Sequence, residues 1–242
     1  MVPARPAVVL PVYNEADSVA SVLDAVRDVH AGPVIVVDDG STDRTPEVLG
    51  GRADVTLVVH ERNLGYGRSL IDGFATALEL GADAVVTMDC DGQHEPVHIP
   101  EFLEALGGCD IVSGSRYLPA SPVAGVAPPA RRDVNRRVTE GINAATGWSI
   151  TDAFCGFKVY RASALRAMTL TEPGYGMPLQ LWAEAYRAGL RVTELPVARI
   201  YFDGDRSFGA DLDDPERRLG YYLRVWYEAL DEDPGVRNEA LG

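Results

Sequence analysis

Lysine is nearly missing from this chain: of its 22 basic residues, only Lys158 is a lysine. The matching excess of arginine, alanine and glycine follows no positional pattern and reads as genome composition rather than function. Positive charge is scarce overall. Against 36 acidic residues the balance is a net charge of −14, with a pI near 4.6. That balance argues against a nucleic-acid partner and against broad adhesion to anionic membranes. Cysteines number three, Cys90, Cys109 and Cys155, widely spaced and without a C-x-x-C pair. A disulfide framework and a cysteine zinc site are therefore not expected, and with no signal-peptide pattern before the first apolar run the expectation is a reducing cytoplasm. No apolar run approaches the ~20 residues of a membrane-spanning helix, so any membrane contact would be peripheral. There is no internal repeat. A G-x-G-x-x-G after the first apolar run is also lacking, which argues against a dinucleotide dehydrogenase.

What is present fits one large α/β domain: 242 residues, 46% of them hydrophobic, enough for a sizeable core. The expected division is a domain over residues 1–210 and a C-terminal helical extension over 211–242. The runs Ala7–Leu10, Val34–Val36, Val55–Val59 and Ala84–Thr87 are continuously apolar, which predicts strands buried on both faces of a parallel sheet. Helical patterns lie between them. Val19, Val22, Leu23 and Val26 share one face of a helix over 18–29, and Leu70, Phe74, Ala77 and Leu78 share one over 70–80. Strand and helix alternate, so the expected fold is an open, mostly parallel α/β sheet with ligands beyond the carboxyl ends of its strands.

Each strand runs into a polar turn: P-V-Y-N-E (Pro11–Glu15), V-D-D-G-S-T-D (Val37–Asp43), N-L-G-Y-G (Asn63–Gly67) and M-D-C-D-G-Q-H-E-P (Met88–Pro96). The last carries the most chemistry. In extended backbone Asp89 and Asp91 point to the same side while Cys90 points away. Two carboxylates and the Gln93 carbonyl are hard oxygen donors, suited to Mg²⁺ or Mn²⁺ rather than zinc. Mg²⁺ commonly takes one or two protein carboxylates and completes its shell with substrate phosphates. A diphosphate substrate is the first hypothesis, and a solvated Asp-Gly turn the alternative.

Together these motifs resemble the inverting family 2 glycosyltransferases of GT-A fold, and within them the dolichyl-phosphate mannosyltransferases and polyprenyl-phosphate glycosyltransferases; the resemblance runs from about Pro6 to Gly209. It implies that Pro11, Tyr13, Glu15 and Asp39 line the base and ribose pocket. It further implies that Asp89 reaches the ribose or the metal, and that Asp91 and Gln93 ligate a Mg²⁺ or Mn²⁺ bridging the diphosphate of a GDP- or UDP-hexose. G-S-R-Y (Gly114–Tyr117) resembles the next element and carries Arg116 toward phosphate. D-A-F-C-G-F-K (Asp152–Lys158) is similar to the family's D-x-x-x-G-F-R, with Lys158 where arginine is usual, which puts a bidentate role there in doubt. Asp152 is the candidate general base for an alcohol acceptor; a phosphate acceptor, already anionic, needs little help. Polyprenyl phosphate is the leading acceptor and a soluble alcohol the alternative. A non-catalytic sugar-nucleotide-binding protein is the reading from another class. A nucleotidyltransferase lacks support, since no Gly-rich loop follows the first strand.

The rest of the chain supplies candidates for the acceptor side. The prolines of the stretch Leu118–Pro129 preclude regular structure, and it reads either as an active-site flap or as a plain linker. On the helix expected over 130–145, Arg132 and Arg136 share a face, and the resemblance makes Arg132 the acceptor-phosphate candidate; a solvated charged face is the alternative. A helix opening at Pro178 carries Gln180 and Glu184 as possible acceptor contacts, with Glu184 a rival base, while Met177, Leu181 and Trp182 read as core. Arg206 matches a loop that closes over the donor diphosphate in related enzymes. The stripe Leu219, Tyr222, Leu223, Trp226 and Leu230 on the last helix could pack on the domain, form a homodimer contact or touch a membrane; packing is the default, and the acidic flanks disfavour the membrane.

Overall fold

The computed structural model describes residues 3–125, 128–200 and 211–231. Along the chain come β1 (Pro6–Val12), α1 (Val19–Val29), β2 (Val34–Asp38), α2 (Thr45–Gly50), β3 (Thr56–Val59), α3 (Tyr66–Glu79) and β4 (Ala84–Thr87). Then follow α4 (Ile99–Ala105), β5 (Ile111–Ser115), β6 (Val123–Ala124), α5 (Pro129–Thr146), β7 (Lys158–Arg161) and α6 (Ala162–Ala167). The chain closes with α7 (Met177–Arg187), β8 (Val192–Pro196), β9 (Arg199–Ile200) and α8 (Pro215–Asp231). Among the described residues seven strands form one sheet in the order β3-β2-β1-β4-β7-β5-β8. β1 pairs in parallel with both β2 and β4, and β2 with β3. β7 runs antiparallel to both its neighbours, β4 and β5.

The alternation of side chains along β1 divides the core in two. Ala7 and Val9 join Ile35, Val37, Val85 and helices α3, α5, α7 and α8 on one face. Val8, Leu10 and Val12 join Val34, Val36, Val86 and helices α1 and α4 on the other. A strand covered on both faces needs apolar side chains at every position, which is why these runs are continuous. Because β1 to β4 are mutually parallel, their four polar turns open on one edge, as the sequence implies.

Two expectations need correction. The run at Val55–Val59 is not buried on both faces: β3 is the margin of the sheet, with Val59 62% exposed. The proline-rich stretch is not wholly irregular either, since Val123 and Ala124 pair in parallel with Arg199 and Ile200. The last helix uses its stripe for packing. Leu219, Tyr222, Val225, Trp226 and Ala229 are buried, and α8 lies against α7 and α5. Residues 232–242 of the expected extension lie outside the described residues.

Candidate active site

A cleft of about 530 Å³ opens at the carboxyl edge of the sheet. Pro11, Tyr13, Glu15 and Asp39 line it from the ends of β1 and β2, and Asp89, Asp91 and Gln93 from the end of β4. Every donor-side and metal-side candidate from the sequence therefore reaches one cavity, apart from Arg206, which lies outside the described residues.

Local hydrogen bonds shape this edge. Asn14 takes a left-handed φ of 56°, a conformation Asn tolerates better than most residues. Its Oδ1 accepts the Thr42 N–H at 2.8 Å, and its own N–H donates to Ser41 Oγ at 2.9 Å, tying the first two motifs together. Asp39 is buried and accepts N–H bonds from Leu64 at 2.8 Å and Gly65 at 2.9 Å. It thereby draws in the turn before α3, where Gly65 holds φ 107° and a Cβ would lie 2.4 Å from the Pro173 oxygen. His60, not foreseen from the sequence, bridges Asp39 at 2.7 Å and Asp72 at 3.0 Å. Asp39 thus organises the cleft wall as well as lining it.

Asp89 sits against Gly156. Any Cβ there would come within 2.5 and 2.7 Å of the two Asp89 carboxylate oxygens, so only glycine leaves the carboxylate in place. Tyr66 donates its hydroxyl to Asp89 Oδ1 at 3.1 Å. Burial, with the Asp89 charge beside it, raises the Tyr66 pKa well above that of a free phenol, so it stays a donor. The Asp89 N–H lies 2.9 Å from His94 Nδ1, and His94 Nε2 lies 4.0 Å from Cys155 Sγ. Asp91 Oδ1 accepts the Gln93 N–H at 2.8 Å, closing a tight turn. Cys90 is buried in the core layer of Val8, Leu10 and Met88 and also borders the cleft. Among the described residues no group of three His, Cys, Asp or Glu side chains could hold a metal. Two carboxylates on one cleft wall are a donor set that fits Mg²⁺ or Mn²⁺ only when substrate oxygens complete the shell.

The other part of the cleft is lined by Arg116, Tyr117, Arg131, Asn135, Phe154 and Tyr175. Arg116 makes a forked pair with Asp152, Nε to Oδ2 at 2.7 Å and Nη2 to Oδ1 at 3.0 Å. Asp152 is 0% exposed. It also accepts from Arg116 N–H at 3.2 Å, Asn135 Nδ2 at 3.1 Å and Phe154 N–H at 3.1 Å. Burial alone would raise its pKa, but the Arg116 charge and these bonds outweigh it and hold the carboxyl below its ordinary value. Glu194 of β8, also unforeseen, steadies the turn by accepting the Thr151 N–H at 2.8 Å and the Asp152 N–H at 3.1 Å. Asp152, the expected general base, is an enclosed carboxylate paired with Arg116 and is not among the residues that line the cleft.

Three acceptor-side candidates move as well. Arg132 is exposed on α5 and away from the cleft, whereas its neighbour Arg131 lines it. Gln180 is buried in a structural role: its Oε1 accepts the N–H groups of Thr171 and Glu172 at 2.7 and 2.8 Å. Glu184 likewise accepts the Thr169 N–H at 2.7 Å. Neither lines the cleft, and Met177, Leu181 and Trp182 are core, as expected.

A family model described as glycosyl transferase family 2 matches residues 7–169. The chain belongs to that family. It is 35% identical over 200 residues to the undecaprenyl-phosphate mannosyltransferase of Micrococcus luteus, spanning 79% of this chain and 82% of that one. It is 31% identical over 205 residues to the polyprenol monophosphomannose synthase of Mycolicibacterium smegmatis, spanning 80% and 76%. In fold it is similar to the glucosyl-3-phosphoglycerate synthase of Mycobacterium tuberculosis, solved with Mn²⁺, UDP-glucose and phosphoglyceric acid. That likeness has a TM-score of 0.72 at 21% identity and covers 93% of this chain and 79% of that one. The fold is GT-A, and this family 2 member is a glycosyltransferase. Among the described residues no helix is long and apolar enough to cross a membrane.

Proposed function

We propose that this glycosyltransferase moves a hexose, with inversion, from a GDP- or UDP-sugar to the phosphate of a polyprenyl phosphate. The observation that carries the acceptor class is the state of Asp152. An alcohol nucleophile needs a base within reach of its proton, and Asp152 is enclosed, saturated with donors and bound to Arg116; Glu184, the rival, serves the backbone at Thr169. A phosphate monoester is an anion already at neutral pH and attacks without such a base. The names and 31 to 35% identities of the two bacterial relatives support the same acceptor.

In this reading Pro11, Tyr13, Glu15 and Asp39 border the nucleoside. Asp89 and Asp91, with Gln93 beside them, would hold a Mg²⁺ or Mn²⁺, which when bound would neutralise charge on the leaving diphosphate. Tyr66 keeps Asp89 oriented by donating its hydroxyl, and Gly156 gives that carboxylate its room. Arg116, held by Asp152, and Arg131 on α5 present guanidinium groups to the acceptor phosphate. Such preorganised charges stabilise an anion without reorganising during the reaction.

The test combines thermal stabilisation by UDP, GDP and their hexoses, with and without Mn²⁺, and transfer of radiolabelled hexose to a short-chain isoprenyl phosphate or to the matching isoprenol. A Mn²⁺-dependent shift with one base, lost in Asp91→Ala, and transfer to the phosphate alone are expected. Transfer to the alcohol at a comparable rate would overturn the acceptor reading.

A further inference from the structure

Helix α8 brings a charged side chain to the cleft that none of the sequence motifs contains. Arg218 is 5% exposed yet lines the cleft, together with Tyr222 one turn later. Its Nη1 donates to the Leu212 carbonyl at 2.8 Å, fixing one edge of the guanidinium to the turn ahead of the helix. Tyr222, Arg218 and Arg131 line the same cleft; burial pushes the Tyr222 phenol up to about 12, and the charges of Arg218 and Arg131 oppose that rise. On the metal side of the cleft Tyr66, bonded to Asp89, stacks on Tyr175 with centroids 6.0 Å apart, and Tyr175 and Tyr222 both line the cleft. Arg116, Arg131 and Arg218 therefore reach one cleft from three different elements, in a chain whose net charge is −14.

We propose that Arg218 is a third phosphate-binding arginine, contributed by the C-terminal helix, and that its ligand is the phosphate monoester of the acceptor. The proposal rests on the phosphate-acceptor reading above. A phosphate monoester carries close to two negative charges near pH 7 and three strong acceptor oxygens. Guanidinium forks match that shape, and several of them share one dianion better than a single ammonium does. An isoprenyl phosphate and a small phosphorylated acceptor present the same group, so the lipid tail is separable from the chemistry that Arg218 reads.

The test is calorimetric titration of a ten-carbon isoprenyl phosphate, and separately of phosphoglycerate, into the full chain saturated with UDP and Mn²⁺. The variants are Arg218→Met, which keeps the packed stem, and Arg218→Lys, which keeps the charge. Losing one charge-assisted phosphate contact weakens binding on the order of 10- to 100-fold, so Arg218→Met should lose that much affinity for the phosphate and Arg218→Lys less. The dissociation constant of UDP with Mn²⁺ should be unchanged in both, a separation that a merely structural role through Leu212 would not give. Wild-type phosphate affinity in Arg218→Met overturns the proposal while sparing the acceptor reading. Binding of phosphoglycerate alone, still dependent on Arg218, supports the proposal and removes the lipid acceptor. No binding of either phosphate by the wild type removes both.

Discussion

Replacing Asp152 by asparagine separates a base from a positioning residue, because the two roles fail differently. The carboxylate collects five donors: Arg116 N and Nε, Arg116 Nη2, Asn135 Nδ2 and Phe154 N. An amide of the same size offers one oxygen and turns an NH₂ toward the remaining donors. Whichever way it flips, at least two donors lose their acceptor, the Arg116 pair on one side or the three donors on the other. An unsatisfied buried donor costs about 1–3 kcal/mol, and breaking a buried ion pair about 3–5 kcal/mol. The loss for Asp152→Asn is therefore about 3 kcal/mol or more. At a urea slope of about 2–3 kcal/mol/M the unfolding midpoint should fall by roughly 1 M or more.

Activity should follow from the loosened Arg116. The acceptor KM should rise about tenfold, as when a charge-assisted contact is weakened, with the shape of the pH–rate profile kept. The double variant Asp152→Asn with Arg116→Met should be less destabilised than the sum of the singles, with a coupling of about 1–3 kcal/mol. The pair also predicts an acid dependence. The folded pKa of Asp152 is depressed, so its contribution is fully present above the unfolded value near 4 and is lost as pH falls through the lower folded value. An Asp152→Asn protein with an unchanged midpoint, kcat lowered a thousandfold and the acidic limb of its profile gone would refute this reasoning and restore the base.

Two further substitutions probe the rest of the cleft. Gly156→Ala drives a methyl into the Asp89 carboxylate; Mn²⁺-dependent UDP affinity should fall at least about tenfold, and unchanged affinity by calorimetry would show that Asp89 is not a ligand of that complex. Arg131→Ala should raise the acceptor KM about tenfold, while Arg132→Ala, on the exposed side of α5, should leave it within twofold of wild type; steady-state kinetics with isoprenyl phosphate reads both.

The parallel half of the fold was legible because its strands are covered on both faces, so that β1, β2 and β4 show continuous runs ending in turns. β3 carries the same run but sits at the margin, and strand order is decided by pairings between distant segments that no local pattern records. That Arg131 and not Arg132 lines the cleft has a local cause. Neighbouring helix positions differ by about 100°, and the spacing from Arg116 does not fix rotational phase. The buried stripe Val134, Val138 and Ile142 does, since Arg131 lies on that side. Gln180 and Glu184 do not reach the cleft because α7 is buried on nearly every side, and their polar groups turn to the backbone of 169–172. The enclosure of Asp152 was not legible, because its partner Arg116 lies 36 positions away and its burial is tertiary.

A net charge of −14 sets an odd requirement for a protein whose proposed donor and acceptor are both anions. The averaged field repels them, but it is screened beyond about 8 Å at physiological ionic strength. Inside the cleft only nearby groups count. Arginines away from the cleft, such as Arg52 and Arg136, pair with neighbouring acids and add nothing there. Arg116 and Arg131 are instead carried to the cleft by the end of β5 and by α5. A forked carboxylate holds Arg116 at a fixed angle, so it meets a phosphate already oriented. In the proposed reading Asp152 holds the Nε and Nη2 edge of Arg116, and so removes freedom that would otherwise have to be lost when an anion binds.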